Sequence, residues 1–93
     1  STIEYINNAF KSIPNTKIFI SPGNHDPYLK KSYYATFNWN KNVHIFRPEI
    51  EKIESQDVDI YGFGFNDFYC SESNIENLKI ENPEKINILV IKN

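Results

Sequence analysis

No disulfide can form within this chain, because Cys70 is its only cysteine. A compartment that keeps thiols reduced is therefore compatible, and a cytoplasmic location is expected. No apolar run approaches the roughly 20 residues of a membrane span, so no membrane is expected as a partner. Lysine and arginine form no block, Lys30-Lys31 being the densest pair, and the formal net charge is only −2. Nothing in that balance marks these residues by themselves as a nucleic-acid binder. The chain starts at Ser1 rather than methionine, which leaves a removed upstream signal segment open. Repeats, low-complexity tracts and linkers are missing too. What is present is an ordinary globular mixture of 40% hydrophobic and 24% charged residues over 93 positions. That bounds the chain to one small domain, close to the lower size for a self-sufficient core.

Periodicity predicts a mixed α/β order. Ser1-Thr2-Ile3-Glu4 has the form of a capping box, and Ile3, Ile6, Phe10 and Ile13 then recur on one helical face. Pro14 and Asn15 end that helix. The apolar run 17–21 lacks polar alternation and predicts a strand covered on both faces. A weak aromatic helix is expected over 29–37, a strand over 43–46, and two strands over 52–54 and 58–65 joined by Ser55-Gln56-Asp57. A short helix is expected over 73–78 and a buried strand over 86–91. Helix, turn and buried strand make half of a βαβ unit.

Directly after the first strand comes Pro22-Gly23-Asn24-His25-Asp26-Pro27. This is loop composition, at the carboxyl end of a strand, where open α/β sheets place their ligands. The plain alternative is a turn in which Asn24 and Asp26 make only local hydrogen bonds. Gly23-Asn24-His25-Asp26 resembles the third conserved block of the calcineurin-like metallophosphoesterases. Asn24 offers a neutral carbonyl oxygen to a hard divalent ion. His25 can protonate a leaving alkoxide or stabilise phosphoryl charge, and Asp26 can hold its imidazole in the donor tautomer. Gly23 permits the sharp turn. Thr2-Ile3-Glu4-Tyr5-Ile6, Asn42-Val43-His44-Ile45-Phe46 and Ile60-Tyr61-Gly62-Phe63-Gly64-Phe65 are similar to the SbcD-like DNA repair exonuclease branch.

The resemblance implies a fragment of a four-layer αββα sandwich, with residues 1–93 forming one partial domain. It implies metal-dependent phosphoester hydrolysis at two divalent ions, commonly manganese, with nucleic acid or another phosphoester as substrate. An ATPase partner subunit, as in the SbcD-like family, or self-association is implied as well. The chain departs from the family in several places. The family's Asp-x-His and Gly-Asp-x-x-Asp blocks are missing, and its Gly-His-x-His block would lie beyond Asn93. A family histidine follows a strand like 86–91, and Lys92 stands there instead. The fragment alone is accordingly expected to bind no metal and to be inactive. A non-catalytic interaction piece, or a parent acting on small phosphoesters, are the alternatives.

Other residues carry weaker expectations. His44 is expected in the core or at the surface rather than on a metal. Tyr33, Tyr34, Phe37 and Trp39 are expected to pack rather than to stack on bases. Phe63, Phe65, Phe68 and Tyr69 are candidates for flanking a substrate groove. Cys70 is expected to be an inert thiol. Glu49 and Glu51 with Lys52 read as a solvated turn.

Overall fold

The computed structural model describes residues 2–23, 36–65 and 67–92. Ser1, with its capping box, and most of the expected helix over 29–37 lie outside the described residues. The described elements are α1 (Thr2–Lys11), β1 (Ile18–Ile20), β2 (Val43–Ile45), β3 (Glu51–Glu54), β4 (Val58–Gly62), α2 (Phe68–Asn77) and β5 (Ile86–Val90). They form a mixed α/β arrangement with two sheets, ordered β1-β2 and β3-β4-β5.

The helix α1 ends before Ile13, contrary to the expected run of four apolar positions. Its last turn tightens through Ser12 N–H to Ala9 O at 3.2 Å and Ile13 N–H to Phe10 O at 3.1 Å. The carbonyls left over at this end are taken by one side chain: Asn42 Nδ2 reaches the oxygens of Phe10, Ile13 and Thr16 at 3.0, 3.1 and 3.0 Å. Asn7, the buried residue of α1, accepts from Asn40 N–H at 2.8 Å. Phe10 meets Trp39, and Phe37 meets the same indole edge-on at 4.9 Å. Polar ties and an aromatic cluster therefore fasten α1 to the segment leading into β2.

β1 and β2 pair in parallel, Ile18 opposite Val43 and Ile20 opposite Ile45. Phe46 N–H extends the ladder to Ile20 O at 2.9 Å. In the second sheet β3 and β4 are antiparallel, turning through Ser55, whose N–H and hydroxyl both bond Val58 O, at 3.0 and 2.7 Å. β4 and β5 are parallel. Cross-strand partners share a face. Glu51, Ile53, Ile60, Gly62, Ile88 and Val90 therefore lie together, and this is the face toward the first sheet, since a Cβ on Gly62 would fall inside the ring of Phe46. Among the described residues Phe46, Tyr61 and Phe63 are the buried large apolar side chains.

The expected buried strand over 86–91 is corrected. Among the described residues only β4 stands beside it, and Ile86 and Ile88 remain 62% and 44% exposed. The helix expected over 73–78 starts earlier, at Phe68. Asp67 caps it by accepting from Cys70 N–H at 2.7 Å. Asn74 anchors it, donating to Pro48 O at 2.6 Å and accepting from Ile50 N–H at 3.2 Å. Among the described residues no helix is long and apolar enough to cross a membrane.

Candidate functional site

Asn24, His25 and Asp26, the residues expected to bind metal, move a proton and orient the imidazole, lie outside the described residues. Tyr33 and Tyr34 do too. The approach to the motif is described as far as Gly23, and it is closely built. Ser21 Oγ donates to Phe63 O at 2.6 Å. Pro22, fully buried, accepts from Phe65 N–H at 2.9 Å, and Gly64 N–H reaches Arg47 O at 2.7 Å. A Cβ on Gly64 would come within 2.8 Å of Phe46 O and 3.0 Å of Pro22 Cδ. Any side chain there would push these backbones apart, so Gly62 and Gly64 are the residues that let the sheets close. The string Gly62-Phe63-Gly64, read in the sequence only as part of a resemblance, is the signal that could have pointed to this close approach.

Lys92, which follows β5, arrives at the same place. A Cβ on Gly23 would lie 2.8 Å from Lys92 Cε, 2.9 Å from Cγ and 3.1 Å from Cδ. The carboxyl ends of β1, β2, β4 and β5 are thus gathered where the motif begins. This convergence links fold to site, because strand ends from both sheets meet at Pro22 and Gly23.

Whether these residues fit a divalent ion can be tested on their donors. Such an ion needs oxygen or imidazole lone pairs. The Ser21 hydroxyl donates to Phe63 O, and Pro22 O accepts from Phe65 N–H. Lys92 brings an ammonium with no lone pair. Among the described residues no group of three or more His, Cys, Asp or Glu could hold a metal. The described residues thus bring a hydroxyl, backbone carbonyls and an ammonium to this place, and the motif's own donors lie outside them.

The remaining candidates sort by their contacts. His44 is half-exposed and joins the two sheets, its Nε2 lying 2.9 Å from Glu51 Oε1. Glu51 and Lys52 are not a solvated turn but the start of β3. Lys52 meets Glu81 Oε2 at 2.8 Å and Asp59 Oδ2 at 3.7 Å. The Glu81 hydrogen bond holds the Lys52 ammonium above its ordinary pKa; burial opposes this, and the charges of Asp59, Glu54 and Glu81 add to it. Sequence reasoning missed Asp59, a fully buried carboxylate that accepts from Lys85 Nζ at 2.5 Å. Phe63 is buried in the core, whereas Tyr69 is largely exposed. Cys70 is a half-buried free thiol, its Sγ 3.5 Å from Pro48 O.

Compared with known proteins, the chain matches no family model, no curated protein and no solved structure.

Proposed function

We propose that this chain is the middle portion of a calcineurin-like metallophosphoesterase with a four-layer αββα sandwich, whose parent hydrolyses phosphodiesters in nucleic acid. The observation that carries the reading is the origin of Gly23-Asn24-His25-Asp26 at the end of β1, beside the ends of β2, β4 and β5. In this reading His25 donates a proton to the leaving alkoxide, and Asp26 fixes its tautomer. The carbonyl oxygen of Asn24 is this chain's one ligand to a pair of divalent ions, expected to be manganese. Bound ions would supply charge stabilisation at the phosphoryl group. Their other ligands belong to blocks not found within these 93 residues.

Two preparations test this. The 93-residue chain should not turn over a chromogenic phosphodiester with added manganese, because one neutral ligand cannot hold two ions. A longer parent carrying the other blocks should turn it over, and chelation should stop it. Turnover by the short chain, abolished by His25→Ala, would show that the remaining ligands are not where the resemblance puts them.

A second reading, a non-catalytic interaction piece, is favoured by β5. Its inner face leaves Ile86 and Ile88 exposed, and one edge has no described strand beside it. Exposed apolar strand edges pair with other chains. Sedimentation of the 93-residue chain should show self-association that Ile86→Lys and Ile88→Lys together reduce. A concentration-independent monomer would remove this support.

A further inference from the structure

We propose that Asp59 and Asn87 form a buried site for one water molecule that ties together the three strands of the second sheet, a site independent of the phosphoesterase reading. The starting point is two orphaned oxygens. Asp59 is 0% exposed. Its Oδ2 and the Oδ1 of Asn87 are shielded from solvent, and neither accepts a hydrogen bond from any described residue. Buried acceptors are costly to leave without a donor, and a charged one more so.

The two oxygens belong to one place. Asp59 and Asn87 stand opposite each other on the parallel strands β4 and β5. They alternate with Ile60 and Ile88, so both side chains rise from the sheet face turned away from β1 and β2. The carboxamide of Asn87 is oriented by its nitrogen, which donates to Asn82 O at 2.9 Å and Lys85 O at 2.8 Å. Its oxygen is buried, whereas the far edge of β5 has no described strand beside it. The oxygen is therefore turned toward β4 and Asp59. The other carboxylate oxygen, Asp59 Oδ1, is already engaged by Lys85 Nζ at 2.5 Å.

The surrounding charges select the occupant. Two ammoniums stand at Asp59, that of Lys85 at 2.5 Å and that of Lys52 at 3.7 Å. Glu54 lies opposite Asp59 on β3, and Glu81 pairs with Lys52 at 2.8 Å. An anion would set its lone pairs against two acceptors. A cation would stand beside the Lys52 ammonium, and no group of three or more His, Cys, Asp or Glu among the described residues could hold a metal. What fits is a small neutral molecule with two donors, which is water. It gives one hydrogen to Asp59 Oδ2 and the other to Asn87 Oδ1. Its own oxygen accepts from Lys52 Nζ, which at 3.7 Å is too far to bond Oδ2 directly. About three hydrogen bonds are usual for a buried water. Side chains of β3, β4 and β5 thus meet at one molecule.

The test is a crystal structure of the 93-residue chain that resolves ordered solvent, paired with magnetic relaxation dispersion of the water oxygen nucleus in solution. The crystal should show one density peak about 2.7–3.2 Å from Asp59 Oδ2, Asn87 Oδ1 and Lys52 Nζ. Lys52 Nζ bonded directly to Oδ2, with no peak between them, overturns the proposal. So does a peak closer than about 2.6 Å to both oxygens, the distance of a coordinated cation. In solution, Asn87→Leu should lower the dispersion amplitude by about one long-lived water relative to wild type. Asn77→Leu, at an exposed asparagine of α2, should leave it unchanged. Equal amplitudes in Asn87→Leu and wild type, or an equal drop in Asn77→Leu, overturn the proposal. If Asn87→Leu does not fold, the crystal structure of the unaltered chain decides alone.

Discussion

Phe46→Ala is expected to remove a large share of the stability of this chain, about 3–5 kcal/mol. A small domain commonly has only about 5–15 kcal/mol in total. Phe46 is 0% exposed, and its ring occupies the space left by Gly62. It stacks with Phe19 at 6.0 Å and meets the His44 ring edge-on at 5.1 Å. Its backbone joins β1 and lies against Gly64. Truncation would therefore open a cavity where the two sheets meet and loosen the strand ends that frame Gly23. Urea denaturation followed by the fluorescence of Trp39, the single tryptophan, reads the change. Gly62→Ala should also destabilise, by forcing a methyl into the Phe46 ring, and adding Phe46→Leu should recover part of that loss. A cost below about 1 kcal/mol for Phe46→Ala would mean that this aromatic junction does not hold the sheets together.

The second large effect is expected at Asp59. Its side chain is 0% exposed and sits between Lys85, at 2.5 Å, and Lys52, at 3.7 Å. Lys85 also donates to Ser55 O at 2.6 Å, so the same ammonium ties the β3–β4 turn to the start of β5. Asp59→Ala would leave the largely buried Lys85 ammonium without its counter-charge. Breaking a buried pair from one side typically costs about 3–5 kcal/mol, mostly from the stranded charge. Partial access of Lys85 to water places the expected loss at the lower end, about 3 kcal/mol. The double variant Asp59→Leu/Lys85→Met should be clearly less destabilised than Asp59→Ala, because it strands no charge. Equal losses in the two would locate the effect in packing rather than in the pair.

Much of this architecture is legible in the sequence, and the misses have physical causes. Local apolar patterning locates α1, β1, β2 and β4 to within a few residues, because each has at least one covered face. The run 86–91 looks covered on both faces by the same criterion, yet among the described residues β5 is flanked by β4 alone. An apolar run reports what a strand can bury, not what stands beside it. The start of α2 was hidden because Phe68, Tyr69 and Cys70 are weak helix formers, and the cap on Asp67 decides the boundary. Asn7, Asn42 and Asn74 read as surface residues in a one-dimensional pattern. Each holds together segments 24 or more residues apart, through bonds such as Asn40 N–H to Asn7 and Ile50 N–H to Asn74. Asp59 is hidden for the same reason, since its two lysines come from β3 and from the loop before β5. At the site, the motif string is visible in sequence. The passage of Lys92 over Gly23 is not, because the two meet only through the closing of separate sheets.

The phosphoesterase role proposed for the residues after Gly23 makes a paired prediction. It is tested most directly in the longer parent by measuring bound manganese and phosphodiester turnover together in the Asn24→Ala and His25→Asn variants. Asn24→Ala should lower bound manganese, as expected for a ligand. His25→Asn should lower turnover by about a hundredfold or more and leave manganese content nearly unchanged, as expected for a proton donor that does not coordinate the ions. A His25→Asn protein that keeps wild-type turnover, or a parent with no metal-dependent turnover at all, would contradict the account.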